Sequence, residues 1–347
     1  MLEEKLTLKY RPKKFDEVIG NEPIVTLLNN IIVNKEKQAI PHCLLFSGNS
    51  GLGKTTLARI FANKLNNGQG TPIEIDAASN NGVDNVREII AQANERALDC
   101  TYKVIIIDEA HAISQAGFQA FLKTIEEPPA YTIFIFCTTN PQKLPDTIKN
   151  RLMQFKLLPV SQEEIEKRLM SICEQEKFTN YNETCKYISR ISNGCVRQAI
   201  QLLETAASAT TDLTISNIAN LINTISYDIL FDLTNAIIDK LDNKIINIIE
   251  QIEKSGVDFN IFLDEFISFN LNLGLYCIFR DMNKINIPEI FKDKVDNTIG
   301  IKPTLEESKL WYKKFVNALL DIKEDFKYES NLKAILTIRL LRLTSEY

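Results

Sequence analysis

Residues 43–56 read CLLFSGNSGLGKTT, and their order decides the fold. The run CLLFS has the character of a short buried strand, as in a parallel sheet covered on both faces. Gly48-Asn49-Ser50-Gly51-Leu52-Gly53-Lys54-Thr55 then fits GxxxxGK[ST], and the helical stretch TTLARIFANKL follows at once. The glycines let the backbone curl so that its N–H groups point at phosphate oxygens. The helix N-terminus adds a favourable dipole. Lys54 is placed to neutralise β- and γ-phosphates, and Thr55 to ligate Mg²⁺. A bare glycine turn is the bland alternative, and the strand and helix on either side speak against it.

Working outward, Lys103-Val-Ile-Ile-Ile-Asp108-Glu109 buries an apolar strand and releases two carboxylates at its C-terminal end. Ligands of open α/β sheets bind at that edge. Asp108 is expected to hold Mg²⁺ through water, and Glu109 to orient or deprotonate an attacking water. TPIEID and TIFIFCTT read as further strands, and segments near 54–66, 83–98 and 115–126 as helices between them. The alternation predicts a parallel α/β sheet. Asp108-Glu-Ala-His111 also spells a box found in helicases. Those need a second nucleotide-clasping domain rich in Gly and Arg, which residues 229–347 lack, so His111 reads as incidental packing at the start of the next helix.

Of the 347 residues, 45% are hydrophobic and 24% charged, which excludes a mainly disordered chain. Nine of eleven prolines and eight of twelve glycines fall at or before Pro159. The first part is therefore rich in turns, and the remainder can run as long helices. We expect three domains: 1–158, 159–225 and 226–347. Ser161 and Glu164 form a capping box at the start of the second, and the polar stretch 223–228 marks its end. A net charge of −5 means that any nucleic-acid contact must come from a local surface. Seven scattered cysteines without a CxxC pair predict reduced thiols and exclude a four-cysteine zinc site by spacing. The stretch MLEEKLTLKYRPKKF carries acids and no apolar core, so no secretory signal is expected in it, and no long uncharged apolar run predicts a membrane span.

Several longer stretches carry a resemblance: KYRPKKFDEVIGNE (9–22), GNSGLGKTT (48–56), EIDAASNNGVDNVRE (74–88), IIIDEAH (105–111), FLKTIEEPP (121–129), TTNPQKLP (138–145) and GCVRQAIQLL (194–203). The chain resembles the ATPase subunit of a bacterial-type sliding-clamp loader, the gamma/tau family of DNA polymerase III, within the AAA+ class. DAASNNGV and KTIEEPP are particular to that family. The resemblance is strong over residues 5–210. It implies an AAA+ P-loop domain, a small helical lid and an all-α collar for oligomerisation.

It also implies roles. Tyr10, Arg11 and Pro12, with Val18 and Ile19, line the adenine pocket. The backbone and side chains of Gly48 through Thr56, Asn49, Ser50, Leu52 and Thr56 included, wrap the phosphates. Thr139 reads the γ-phosphate at the sensor-one position, with Thr138 as the alternative by one register. Arg151 is an arginine finger acting on a neighbour's ATP, although Asn150-Arg151-Leu152 replaces the usual Ser-Arg-Cys. Arg197 is sensor two, tying the lid to the nucleotide. Asn80, Asn81, Gly82 and Gln115 face DNA phosphates. Many relatives insert a zinc module after the phosphate-loop helix. Here 65–71 runs directly into the next strand, so ATP and Mg²⁺ are expected and zinc is not. The expected partners are a sliding clamp, primer–template DNA, other loader subunits in a homo- or hetero-pentamer and, indirectly, DNA polymerase. No membrane partner is expected, and the expected location is the cytoplasm. A stator-type structural subunit, another AAA+ DNA motor or a helicase loader stay open as alternatives. The end at Tyr347 reads as a short form without the long extension of some relatives.

Overall fold

Strand and helix alternate through the first half because apolar runs too short for helices are separated by amphipathic segments. The structure, a computed structural model, describes residues 4–34, 39–215, 218, 225–300 and 305–346. By contacts the chain forms two units: Met1–Gln175 with Ile188–Glu204, and Glu176–Tyr187 with Thr205–Tyr347.

In the first unit, α1 (Leu6–Lys9) and α2 (Glu22–Val33) precede β1 (Cys43–Ser47). Then follow α3 (Lys54–Leu65), β2 (Ile73–Asp76), α4 (Val83–Ala93), β3 (Lys103–Asp108), α5 (Gln115–Glu126), β4 (Thr132–Thr138), α6 (Asp146–Lys149), β5 (Met153–Lys156) and α7 (Gln162–Glu176). The five strands are ordered β2-β3-β4-β1-β5 and every pair is parallel. Each central strand buries both faces, and alternate residues enter different cores. Leu44, Phe46, Val104, Ile106, Ile133 and Ile135 join α2 and α3 on one face. Leu45, Ile105, Ile107, Phe134 and Phe136 join α4, α5 and α6 on the other. This double cover sets the C-terminal strand ends, and the loops after them, in fixed register.

Four strands match the sequence reading, and β5 is an addition to it. The helix expected over 83–98 ends at Ala93, where Asn94 forms its C-cap. The capping box closes as expected: Ser161 Oγ and Glu164 Oε2 are 2.5 Å apart, and the Glu164 N–H donates to Ser161 Oγ at 3.3 Å.

Helices α8 (Asn182–Ile191) and α9 (Val196–Ala209) each contribute residues to both units. The second unit is otherwise built from α10 (Tyr227–Ile238), α11 (Asp242–Lys254), α12 (Phe259–Phe279), α13 (Lys292–Gly300), α14 (Leu305–Asp325) and α15 (Leu332–Glu346). Phe262 and Phe266 stack, and Trp311 and Phe315 stack, at the packed seam of α12 and α14. Helix α12 is long and apolar enough to pass a length-and-composition test for a membrane span. It also carries Asp264 and Glu265 and buries half of its apolar window within the protein, as a core helix does. Part of the stretch expected at 223–228 lies outside the described residues; Ser226 caps α10 there by accepting from the Ile229 N–H. None of the seven cysteines is in a disulfide. Burial pushes the Cys43 thiol up to about 12 and the Cys277 thiol to about 11.

Candidate nucleotide site

The loop from Gly48 to Gly53 turns because three glycines take positive φ: 145° at Gly48, 75° at Gly51 and 94° at Gly53. Gly51 is the position with least freedom to change. A Cβ placed there would lie 2.3 Å from Cys195 Sγ, so the loop rests directly on the chain before α9. The Cys195 thiol donates to Ser50 O at 3.5 Å. Gly51→Ala should therefore lower stability by about 1–3 kcal/mol, from the left-handed backbone and the clash together. Adding Cys195→Ala should recover only the clash share, as read by urea unfolding of the single and double variants.

Lys54 begins α3 and is 6% exposed. Its ammonium donates to Gly48 O and Asn49 O, both at 2.9 Å, which folds the side chain back along the loop. Burial holds its pKa below the ordinary lysine value, and the charges of Glu109 and Asp108 partly oppose this. A phosphate here would restore the solvation that burial removed. Lys54→Ala should weaken ATP binding by roughly tenfold to a hundredfold, the worth of charge-assisted hydrogen bonds, while the far-UV spectrum and unfolding cooperativity stay unchanged. Isothermal titration of the folded variant checks this.

Thr55 Oγ1 donates to Asp108 Oδ2 at 2.7 Å, linking the phosphate loop to the end of β3. The other carboxylate oxygen of Asp108 accepts the Glu109 N–H at 2.9 Å. One hydroxyl and one carboxylate side by side suit Mg²⁺, which takes few protein ligands and completes its shell with water and phosphate oxygens. Among the described residues, no group of three or more His, Cys, Asp or Glu side chains converges on a metal position. Glu109 itself has φ 47° and ψ 41°, a left-handed conformation unusual outside glycine. Such strain is held only where the surroundings over-determine it. Thr139 Oγ1 donates to Glu109 Oε2 at 3.2 Å.

A single cleft is lined by Tyr10, Arg11, Pro12, Val18 and Ile19, by the loop from Ser50 to Thr56, and by Asp108, Glu109 and Arg197. Gly48 and Asn49 are not among its lining residues, and their carbonyls hold Lys54. Arg11 is pulled below its ordinary pKa, first by burial and then by the like charges of Arg59 and Arg197. An anion between Arg11 and Arg197 would relieve that repulsion. Arg168 donates to Tyr10 O at 3.0 Å and lies over the Tyr10 ring, so α7 braces the aromatic wall.

Thr7, Leu8, Asn21, Val196 and Ile200 also line the cleft and were not singled out from sequence. Asn21 has a readable signal, since Gly20-Asn21 joins two residues that tolerate positive φ, and both adopt it. Its amide exchanges two hydrogen bonds with Leu158, at 2.8 and 3.0 Å. Thr138 does not face Glu109. Its hydroxyl oxygen accepts the Asn140 N–H and lies 3.0 Å from His111 Nδ1. His111 sits in the short turn 110–112 before α5, and the left-handed turn at Glu109 brings its Nδ1 to 3.3 Å from Glu109 Oε2.

Arg151 is not among the cleft-lining residues. It is 39% exposed, with Nη2 2.6 Å from Glu126 Oε1, and Nη1 donates to Thr147 O at 2.5 Å. Asn80, Asn81, Gly82 and Gln115 come together elsewhere on the sheet's C-terminal side. Gly82 caps α4, Gln115 opens α5, and the Ser114 N–H donates to Asn81 O at 3.1 Å. Two helix N-termini are therefore adjacent there.

Residues 72–161 match the family model described as DNA polymerase III, delta subunit. A DNA polymerase III subunit gamma from Buchnera aphidicola subsp. Acyrthosiphon pisum is 31% identical over 98% of this chain and 98% of its own length. The DNA polymerase III subunit tau of Salmonella typhimurium is 33% identical over 76% of this chain, which covers only 44% of that relative. The corresponding tau subunit of Bacillus subtilis is 31% identical, with 82% of this chain and 54% of the relative covered. Among solved structures, the Thermotoga maritima RuvB Holliday junction branch migration motor aligns at a TM-score of 0.53 with 21% identity. That alignment covers 66% of this chain and 79% of the RuvB chain, and it shows a shared AAA+ fold.

Proposed function

The chain belongs to the DNA polymerase III gamma/tau family, and from that premise we propose that it is an ATP-driven clamp-loader subunit. It opens a ring-shaped sliding clamp and places it on primer–template DNA. The observation that carries this reading is the run of contacts from Thr55 to Asp108 and Glu109 in the cleft that also holds Lys54 and Arg197, with Thr139, not itself a lining residue, bonded to Glu109.

In this reading Tyr10, Val18 and Ile19 offer apolar surface to the base, and Lys54 and the loop N–H groups bind the phosphates. Thr55 and Asp108 would hold Mg²⁺, which neutralises charge developing on the β- and γ-phosphates. Glu109 orients the attacking water, Thr139 reads the γ-phosphate, and Arg197 reports occupancy to the lid. Arg151 serves the ATP of a neighbouring subunit. The adjacent N-termini of α4 and α5 bind DNA phosphates through N–H groups and the Asn80, Asn81 and Gln115 side chains, without reading sequence. The domain boundaries at 158 and 225 belong to the same proposal, as does assembly with other subunits in a pentamer.

The test is the steady-state ATPase rate of the assembled protein with a clamp, with primed DNA, and with both. A loader ATPase is stimulated most by the two together. A stator subunit shows no response, and a motor of another kind responds to DNA with no effect of the clamp; either result overturns the reading.

A further inference from the structure

Two side chains reach the same oxygen of Glu109: Thr139 from the end of β4, at 3.2 Å, and His111 from the turn after β3, at 3.3 Å. Thr139 is assigned to the γ-phosphate in the function proposed above. A threonine hydroxyl has one proton to donate. Once that proton is given to phosphate, Glu109 loses its hydrogen bond from Thr139 and keeps the imidazole edge.

We propose that His111 is a positioning residue for Glu109, holding its carboxylate in place when Thr139 turns to the nucleotide. The inference rests on Glu109 orienting the attacking water. His111 is well supported for such work. Its backbone lies in the short turn 110–112, closed by the Ala112 N–H donating to Glu109 O at 2.8 Å. Its Nδ1 lies 3.0 Å from the Thr138 hydroxyl, and Thr138 is fully buried in β4. The side chain is only 21% exposed. An ionised carboxylate accepts and cannot donate, so a bare nitrogen lone pair facing it would repel. The carboxylate thus favours the tautomer protonated on Nδ1, whose N–H is hydrogen-bonded to Thr138 Oγ1 at 3.0 Å with Glu109 Oε2 3.3 Å from the same nitrogen. The left-handed backbone at Glu109 has a consequence here. It curls the chain so that a residue two positions later comes back alongside its carboxylate.

The test has a kinetic and a spectroscopic arm. In the assembled protein with Mg²⁺ and ATP, His111→Ala should lower kcat by roughly tenfold to a hundredfold with KM unchanged. His111→Asn keeps an N–H near the Nδ1 position and should restore most of the rate. His111→Gln carries its N–H near the Nε2 position and should not. In a Glu109→Gln background, His111→Ala should add no further loss. An unchanged kcat, a change confined to KM, or no distinction between the Asn and Gln variants would overturn the proposal.

The chain contains only His42 and His111, so the imidazole nitrogen NMR spectrum of the full chain without nucleotide has two side chains to resolve. Glu109→Ala should reduce the Nδ1-protonated share of His111. His42, whose Nδ1 lies 2.7 Å from Thr132 O, should not change and serves as the internal reference. A His111 signal indifferent to Glu109→Ala also overturns the proposal. A wild-type chain that hydrolyses no ATP counts against the function reading, while the spectrum still decides whether His111 holds Glu109.

Discussion

Replacing Arg151 with alanine should leave the ATP affinity of an isolated subunit nearly untouched and cut hydrolysis in the assembly by about 10³ or more. The reason is geometric. Arg151 does not line the cleft that holds Lys54, and Glu126 and Thr147 O keep its guanidinium on the outside of its own domain. Two of its five N–H groups are engaged by those partners, and the others remain to meet developing phosphoryl charge on a neighbour. Mixing decides the point. An Arg151→Ala subunit has a normal phosphate loop, and a Lys54→Ala subunit has a normal arginine. A junction that pairs the first subunit's loop with the second subunit's arginine is complete, so some activity should return. Two variants that assemble yet stay inactive in every mixture would count against action in trans.

Glu109→Gln should separate binding from turnover, slowing hydrolysis by about 10²–10⁴. The amide keeps the shape of the carboxylate and can still accept from Thr139, but it cannot take a proton or polarise water equally well. ATP affinity should hold, because Lys54, Thr55 and the loop N–H groups are unaltered. Complexes of the variant should capture clamp in ATP and release it slowly onto DNA. Single-turnover hydrolysis measured beside equilibrium ATP binding checks both halves. Equal turnover in the variant and the wild type would mean that another group positions the water.

The phosphate loop and the Asp-Glu strand end were legible because each is a continuous run whose chemistry depends on neighbours in sequence. Cys43–Phe46 and Val104–Ile107 are unbroken apolar stretches that any period-based reading finds. Strand β5 was not legible. Met153–Lys156 reads MQFK, alternates exposed with buried, and takes its place only by pairing with β1 at the sheet edge. Helix α4 stops short of its amphipathic pattern because Asn94 satisfies the terminal carbonyls, with its side-chain amide donating to Ile90 O at 2.9 Å. The role of His111 depends on the left-handed backbone at Glu109, and nothing in the residue types Asp-Glu-Ala-His announces that turn. Arg11 and Arg197 lie far apart in sequence, and their approach in the cleft follows only from the fold.

The position of β1 in the sheet bears on the order in which the molecule can be assembled. The strand leading into the phosphate loop is made before the other four strands of its sheet, yet Cys43 faces Phe134 and Leu44 faces Met153 in the finished sheet. Its hydrogen-bonding edges are satisfied by strands made much later, and it has no pairing with β2, the next strand out of the ribosome. Such non-local parallel pairing is slow, because the connecting chain must be ordered before any ladder bond forms. A nascent chain that stops before β4 therefore carries the entire GxxxxGKT sequence with no sheet to hold it open toward phosphate. The cleft beside the loop is therefore a property of the completed sheet.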